Sequence, residues 1–255
     1  MNRTSRVARQ ILRYSVSLAV LVTIWVAVSR LGNLPQFLLP QPSSVLQTLL
    51  TERTIFMHAT AYTLQNAALG AAIGISLGLI VGVCSTLWRP FRWIGEPYLI
   101  IGQSFPRESL LPLMVVWMGF GLAPKVVSAA LLCFFPMAIL TASGLQDTRK
   151  DYVELVRSWG ATPLQELIHC RFPAAIPALV SALGKVCFPL ALIGAVLGEM
   201  TGGGNHGLGY IIVTSGAVSR VDRIFGAIVV LGLIGTIMLA AVTAIQTVLS
   251  RFNQE

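Results

Sequence analysis

Two kinds of hydrophobic pattern share this chain. Mostly apolar runs of roughly 20 residues, the length a helix needs to cross a hydrocarbon layer, recur at about 14–31, 62–87, 97–119, 124–145, 175–198 and 224–249. Between the fourth and fifth runs the pattern becomes amphipathic, and the stretch from Tyr152 to Pro173 reads YVELVRSWGATPLQELIHCRFP. Tyr152, Leu155, Val156 and Trp159 fall at i, i+3, i+4 and i+7, one stripe of a helix, with Asp151, Glu154, Arg157 and Ser158 elsewhere on the wheel. The spacing predicts a helix over about 148–159.

Gly160 follows it, as expected just past a helix end because glycine tolerates positive φ. Thr162 then reads as an N-cap, with Pro163 at the first helical position and Gln165 completing a T-x-x-Q capping box. Leu164, Leu167 and Ile168 make a second stripe. Pro173, with Pro177 close behind, is expected to stop this second helix. The prediction is a helix–turn–helix over about 147–173. Its apolar stripes suit either a membrane interface or a docked partner, and the pattern alone leaves both open.

Two of the long runs carry further marks. The second holds Gly70, Gly74, Gly78 and Gly82 at four-residue spacing, so one helical face permits close backbone approach, either within the subunit or between subunits. The third is interrupted by Pro106 and Pro112.

Composition agrees with a membrane chain throughout. Of the 255 residues 55% are hydrophobic and only 11% charged, where soluble domains carry about 25% charged residues. The fold class is all-α and polytopic, with about six transmembrane helices, and residues 1–255 form a single transmembrane domain. The net charge of +8 would suit nucleic acid, but in so apolar a chain a basic excess marks inner loops. With the N-terminus inside, eleven of the eighteen Lys and Arg residues fall on the inner side. Arg30, Arg53, Lys125, Arg220 and Arg223 fall outside, and Arg107 and Lys185 fall within spans. This bias places both termini and the 146–174 segment in the cytoplasm. Arg3, Arg6, Arg9 and Arg13 precede the first run, which reads as an uncleaved helix although Ala27-Val28-Ser29 has the form of a weak signal-peptidase site.

Candidate chemistry is sparse. Cys84, Cys133, Cys170 and Cys187 form no C-x-x-C pair, and His58, His169 and His206 share no ligand spacing, so no metal or redox site is indicated. No catalytic constellation can be assembled. There is no G-x-x-x-x-G-K-[ST] phosphate loop; Gly202-Gly203-Gly204-Asn205-His206-Gly207 has no Lys-Ser/Thr after it and reads as a flexible or close-packed extracytoplasmic loop. Charges inside a membrane are costly and mark pathways, so Arg107, Glu108, Lys185 and Glu199 are candidate translocation-path residues. Arg107 and Lys185 would attract an anionic solute; snorkelling or local pairing is the alternative for Arg107.

Glu154, Gly160 and Pro173, with five and then twelve residues between them, resemble the cytoplasmic EAA loop of ABC-importer permeases. In that pattern E-A-A is followed by three residues, G, nine residues and I-x-L-P; here it reads Glu154-Leu155-Val156, Gly160 and Cys170-Arg171-Phe172-Pro173. The alanines, isoleucine and leucine are replaced. Pro106-Arg107-Glu108-Ser109-Leu110-Leu111-Pro112-Leu113 and Trp117-Met118-Gly119-Phe120-Gly121 are similar to the P-K-x-A-L-x-P-L…W-x-G-x-G signature of the nitrate/sulfonate/taurine-type branch. Glu108 departs from the small or apolar residue usual there. Leu39-Pro40-Gln41-Pro42, Phe135-Pro136, Gly144-Leu145, Glu199-Met200 and Gly207-Leu208-Gly209-Tyr210 fit the same branch, over roughly 35–250.

The resemblance implies a type I importer permease in a bacterial inner membrane, with a helix–turn–helix coupling loop. It implies a small solute (sulfonate, taurine, nitrate, a neutral heterocycle or similar) delivered by an extracytoplasmic binding protein. It further implies a second permease copy, as a homodimer, and two copies of an ATP-binding cassette subunit. Such a chain is not an enzyme and binds no cofactor; ATP is used by the partner. Glu154 is then expected to make polar contacts with the ATPase and Tyr152, Leu155 and Trp159 to fill its groove. Gly160 shapes the turn, and the lever hinges at Gly144 and Pro173. A self-contained ion-coupled secondary transporter using Arg107, Glu108 and Lys185, or an integral-membrane enzyme, are the competing readings, and neither requires an EAA-like loop.

Overall fold

A computed structural model describes residues 16–17, 19–30, 35 and 37–252; the arginines at positions 3–13 and both termini lie outside the described residues. Among the described residues ten α-helices follow one another: α1 Ala19–Arg30, α2 Pro42–Thr51, α3 Arg53–Leu87, α4 Arg89–Ser104, α5 Leu111–Met118, α6 Leu122–Gln146, α7 Lys150–Ser158, α8 Pro163–Thr201, α9 Leu208–Ala217 and α10 Val221–Phe252. Among the described residues α3, α6, α8 and α10 are long and apolar enough to cross a membrane, while α1 and α9 are shorter. The described residues form two compact units, one from residues 58–210 and the part of the chain after 230, the other from the part before 58 and residues 211–230.

In the larger unit α6 is the core element. Its Ala129, Cys133, Met137, Ala138 and Leu145 have no accessible surface. Between lipid-soluble helices the hydrophobic effect gives little attraction, so close van der Waals packing must hold them. Glycines on both neighbours supply it. A Cβ at Gly78 of α3 would meet the Met137 Cβ at 2.7 Å and one at Gly82 the Thr141 Cβ at 2.5 Å. A Cβ at Gly194 or Gly198 of α8 would meet the Ala129 or Lys125 Cα at 2.6 Å. The four-residue glycine face of the second run is therefore spent on packing within the chain, against α6.

The run expected at 97–119 is broken. After Ser104 the chain leaves the helix, passes through a 3₁₀ turn at Arg107–Leu110 and restarts as α5. Pro106 and Pro112 each lack the N–H that a continuous helix would use. At Pro173 the sequence expectation fails in the opposite direction, because α8 runs without interruption from Pro163 to Thr201. Two π turns, Leu167–Arg171 and Leu183–Cys187, explain it. Each closes on a phenylalanine, with Phe172 N–H bonded to the Leu167 carbonyl and Phe188 N–H to that of Leu183, and the next residue is Pro173 or Pro189. A proline ring crowds the carbonyl four residues back, here that of His169 or Lys185, and both lie inside the widened turns. Pro173 is thus accommodated rather than terminating, and Gly144 lies inside α6, so neither sits at a helix boundary.

In the smaller unit Trp25 Nε1 donates to the Pro40 carbonyl at 3.1 Å and its ring packs on Phe225. Glu52 pairs with Arg223 at 2.7 Å and Arg220 at 3.3 Å, and Arg220 also holds Asp222 at 2.7 Å. Thr48 donates to the same Asp222 carboxylate.

Candidate functional site

The segment after α6 is built by local rules. α7 carries Asp151 in its first turn and Arg157 in its last, the signs that suit the helix dipole. It ends in a Schellman motif, in which Ala161 N–H bonds to the Val156 carbonyl and Gly160 N–H to that of Arg157. Gly160 has φ +81° and open space where a Cβ would stand, so the backbone angle, not crowding, demands glycine. The restart is the expected capping box: Gln165 N–H donates to Thr162 Oγ1 at 3.3 Å, and Thr162 N–H to Gln165 Oε1 at 2.9 Å.

The apolar stripes divide between the chain and the outside. Val153 and Leu167 are buried, whereas Tyr152, Leu155, Leu164 and Ile168 are exposed and Trp159 is 78% exposed. Glu154 is exposed. The predicted stripe of α7 therefore faces away from the protein, and Val153, which lies off that stripe, is the residue that packs inward. Pro173 lies beyond the turn, inside α8.

Sequence reading missed what anchors this loop. The Glu166 carboxylate is 5% exposed. It accepts from Arg157 Nε at 2.7 Å and from Arg171 Nε at 2.6 Å, and Arg171 Nη1 donates to the Leu145 carbonyl at 2.9 Å. One buried carboxylate so ties α7, the root of α8 and the end of α6 together. The pairing spans five positions on α8. On a regular helix those positions lie about 140° apart around the axis, and only the π turn between them brings the side chains together.

The four candidate pathway charges are not gathered into one site. Arg107 sits half-buried in the 3₁₀ turn, with Nη1 3.5 Å from the Leu132 carbonyl, its guanidinium 5.8 Å from the Phe135 ring centre and Nε unpartnered. Glu108 beside it is exposed and does not pair with it. Lys185 is exposed, within the middle π turn of α8. Glu199 is 2% exposed at the end of the same helix.

Glu199 belongs to a second polar cluster. Its carboxylate accepts from Thr63 Oγ1 at 2.9 Å, Asn66 Nδ2 at 3.0 Å and the Gly209 N–H at 3.0 Å. Thr63 Oγ1 in turn accepts from the Leu208 N–H at 2.9 Å. The first two amides of α9 are thus held by side chains of α8 and α3, and the loop of residues 202–207 is the close-packed alternative. Lys125, expected in an outer loop, lies in the first turn of α6 with 1% exposure, its ammonium 5.0 Å from the Tyr62 ring centre and acting through space on Glu199. Nothing in the sequence spacing points to Thr63, Asn66 or Lys125.

Comparison with known proteins identifies the family to which the chain belongs. Residues 74–253 match the family model described as binding-protein-dependent transport system inner membrane component. The chain is 34% identical over 222 residues to a probable ABC transporter permease protein of Haemophilus influenzae, covering 87% of this chain and 90% of that one. It is 32% identical to the formylaminopyrimidine transport permease protein ThiX of Halalkalibacterium halodurans, covering 94% and 95%. It is 28% identical to the taurine transport system permease protein TauC of Escherichia coli, covering 97% and 92%. Among solved structures, an inward-facing form of the MetNI methionine ABC transporter has the same fold, with a TM-score of 0.69 at 22% identity, covering 78% of this chain and 97% of that one. The chain belongs to the binding-protein-dependent transport system inner membrane components, the multi-pass permease subunits of ABC importers, which are not themselves enzymes.

Proposed function

We propose that this permease forms the path for a small solute delivered by an extracytoplasmic binding protein, and that its α7–α8 turn docks an ATP-binding cassette subunit in the cytoplasm. Two copies of the chain, each with one ATPase, make the pore, and both termini lie in the cytoplasm. The observation that carries the docking reading is the division of the loop. Its frame is fixed by a Schellman motif, a capping box and the Glu166 carboxylate, while Tyr152, Leu155 and Trp159 are left uncovered. A rigid frame with exposed aromatic anchors is what a partner groove requires. Glu154, exposed on the same helix, supplies the polar contact, and Arg107, Glu108 and Lys185 remain the charges through which the path would act on its cargo, whereas Glu199 is buried in its own hydrogen-bonded cluster. The relatives' names include a formylaminopyrimidine, taurine, aliphatic sulfonates and nitrate, so the cargo is a small polar organic solute, a sulfonate or heterocycle, or an ion of nitrate size.

Reconstituting the chain with its ATPase and binding protein tests this reading. ATP hydrolysis stimulated by the loaded binding protein, and abolished when Glu154 and Trp159 are both replaced by alanine, is the expected result. Uptake that follows an ion gradient and ignores ATP would overturn it.

A further inference from the structure

Beside the α7–α8 turn lies an open cleft of ≈ 320 Å³. Its polar floor is Arg157, Glu166 and Arg171, and its walls include Thr86, Leu87 and Leu167. The two guanidiniums share one carboxylate, so one positive charge of the floor is uncompensated. After the bonds to Glu166 and Leu145, Arg157 Nη1 and Arg171 Nη2 have no hydrogen-bond partner among the described residues. Glu154 acts on Arg157 through space but does not line the cleft. The Arg157 side chain is 60% exposed, that of Arg171 16%.

The cleft's height in the membrane follows from its neighbours. It opens where the apolar helix α3 ends at Leu87. Trp88 and Trp93, 65% and 87% exposed, come next in the chain, and tryptophans mark the level of lipid headgroups. The apolar part of α8 starts one residue past Arg171, at Phe172. A cavity with guanidiniums on its floor and leucines on its rim, at that level, fits a molecule with a phosphate at one end and methylenes at the other. Basic pockets at helix ends on the inner side of a membrane take anionic headgroups in this way, and a guanidinium fork matches phosphate oxygens.

We propose that this cleft binds the phosphate of an anionic phospholipid from the surrounding leaflet, with Arg157 as its main donor and Leu87 and Leu167 against the start of the chains. A lipid bound there fills the space between α3 and the root of the docking turn. The inference rests on the membrane reading of α3 and α8, not on the docking of an ATPase.

The test uses the purified full-length permease alone in neutral detergent, titrated with short-chain phosphatidylglycerol or phosphatidylcholine and read by native mass spectrometry. The wild type is expected to retain phosphatidylglycerol at least about fivefold better than phosphatidylcholine, the ratio set by one basic residue at a membrane surface. Arg157→Gln is expected to remove that preference and Arg157→Lys to keep most of it. Equal retention of the two lipids by the wild type, or an unchanged preference in Arg157→Gln, overturns the proposal. Glycerol phosphate displacing the lipid at equal concentration also overturns it, since the site would then be one for free anions. Loss of ATPase binding in a separate pull-down, with the lipid preference intact, would count against the docking reading alone.

Discussion

Glu166 and Arg171 meet at 2.6 Å across a five-residue separation that a regular helix would not bridge. The π turn between them also admits Pro173, so one local widening both continues α8 through a proline and fastens the α7–α8 turn. Replacing Glu166 by glutamine leaves two guanidiniums facing each other with no counter-charge. Breaking a buried pair from one side costs about 3–5 kcal/mol; the exposure of Arg157 brings this to the lower end or below. The expected outcome is faster amide hydrogen exchange across 150–161 and weaker ATPase retention. Exchange in that segment equal to the wild type would show that the carboxylate does not brace it.

Gly160→Ala tests the turn by itself. With space free around the position, the substitution should cost only the left-handed backbone, about 1–2 kcal/mol. Asparagine, which enters that region more readily, should do less harm than alanine, and valine more. Binding of the ATPase, measured by titration against the purified permease, should follow that order. An alanine variant that binds like the wild type would remove the backbone argument.

Trp159→Ala separates docking from folding. The ring is 78% exposed, so thermal stability of the isolated permease should change by less than about 0.5 kcal/mol. If the ring is a central anchor of the interface, affinity for the ATPase should fall by at least about 2 kcal/mol, roughly thirtyfold. A large loss of stability with unchanged affinity would mean that the ring serves the fold instead.

What could be read from the chain was local. The stop at Gly160 and the restart at Thr162–Gln165 depend on neighbours two to five residues away, and each appears as expected. The apolar runs are legible because bilayer thickness fixes their length. The third run failed, and Pro173 misled, for one reason: a proline's effect depends on whether the preceding turn widens or the chain leaves the helix. That is decided by packing on other helices. The polar clusters were least legible. Glu166 reaches across a π turn and on to the end of α6, and Glu199 finds its partners 133 and 136 positions away, distances at which no periodicity survives.

Glu199 gives the sharpest separation of charge from geometry. A glutamine at this position can still accept from Thr63 and Gly209 through its one oxygen. Its amide would then face Asn66, whose Oδ1 is buried without a partner, and a flip of Asn66 turns that oxygen towards the new donor. Most of the hydrogen bonding therefore survives Glu199→Gln. What does not survive is the countercharge for Lys125, buried at 1% exposure. The two charges act on each other through space without a direct ion pair, and at an effective dielectric of about 20 such an interaction is worth less than about 4 kcal/mol. Glu199→Gln should lower thermal stability accordingly and impair transport, while ATPase retention at the docking turn stays near normal. Lys125→Met in the same chain should recover part of the lost stability, because it removes the charge left stranded. The double-mutant cycle decides it. Additive losses in the pair would mean that Glu199 acts only through Thr63, Asn66 and the amides of α9, and that Lys125 is balanced by the Tyr62 ring alone.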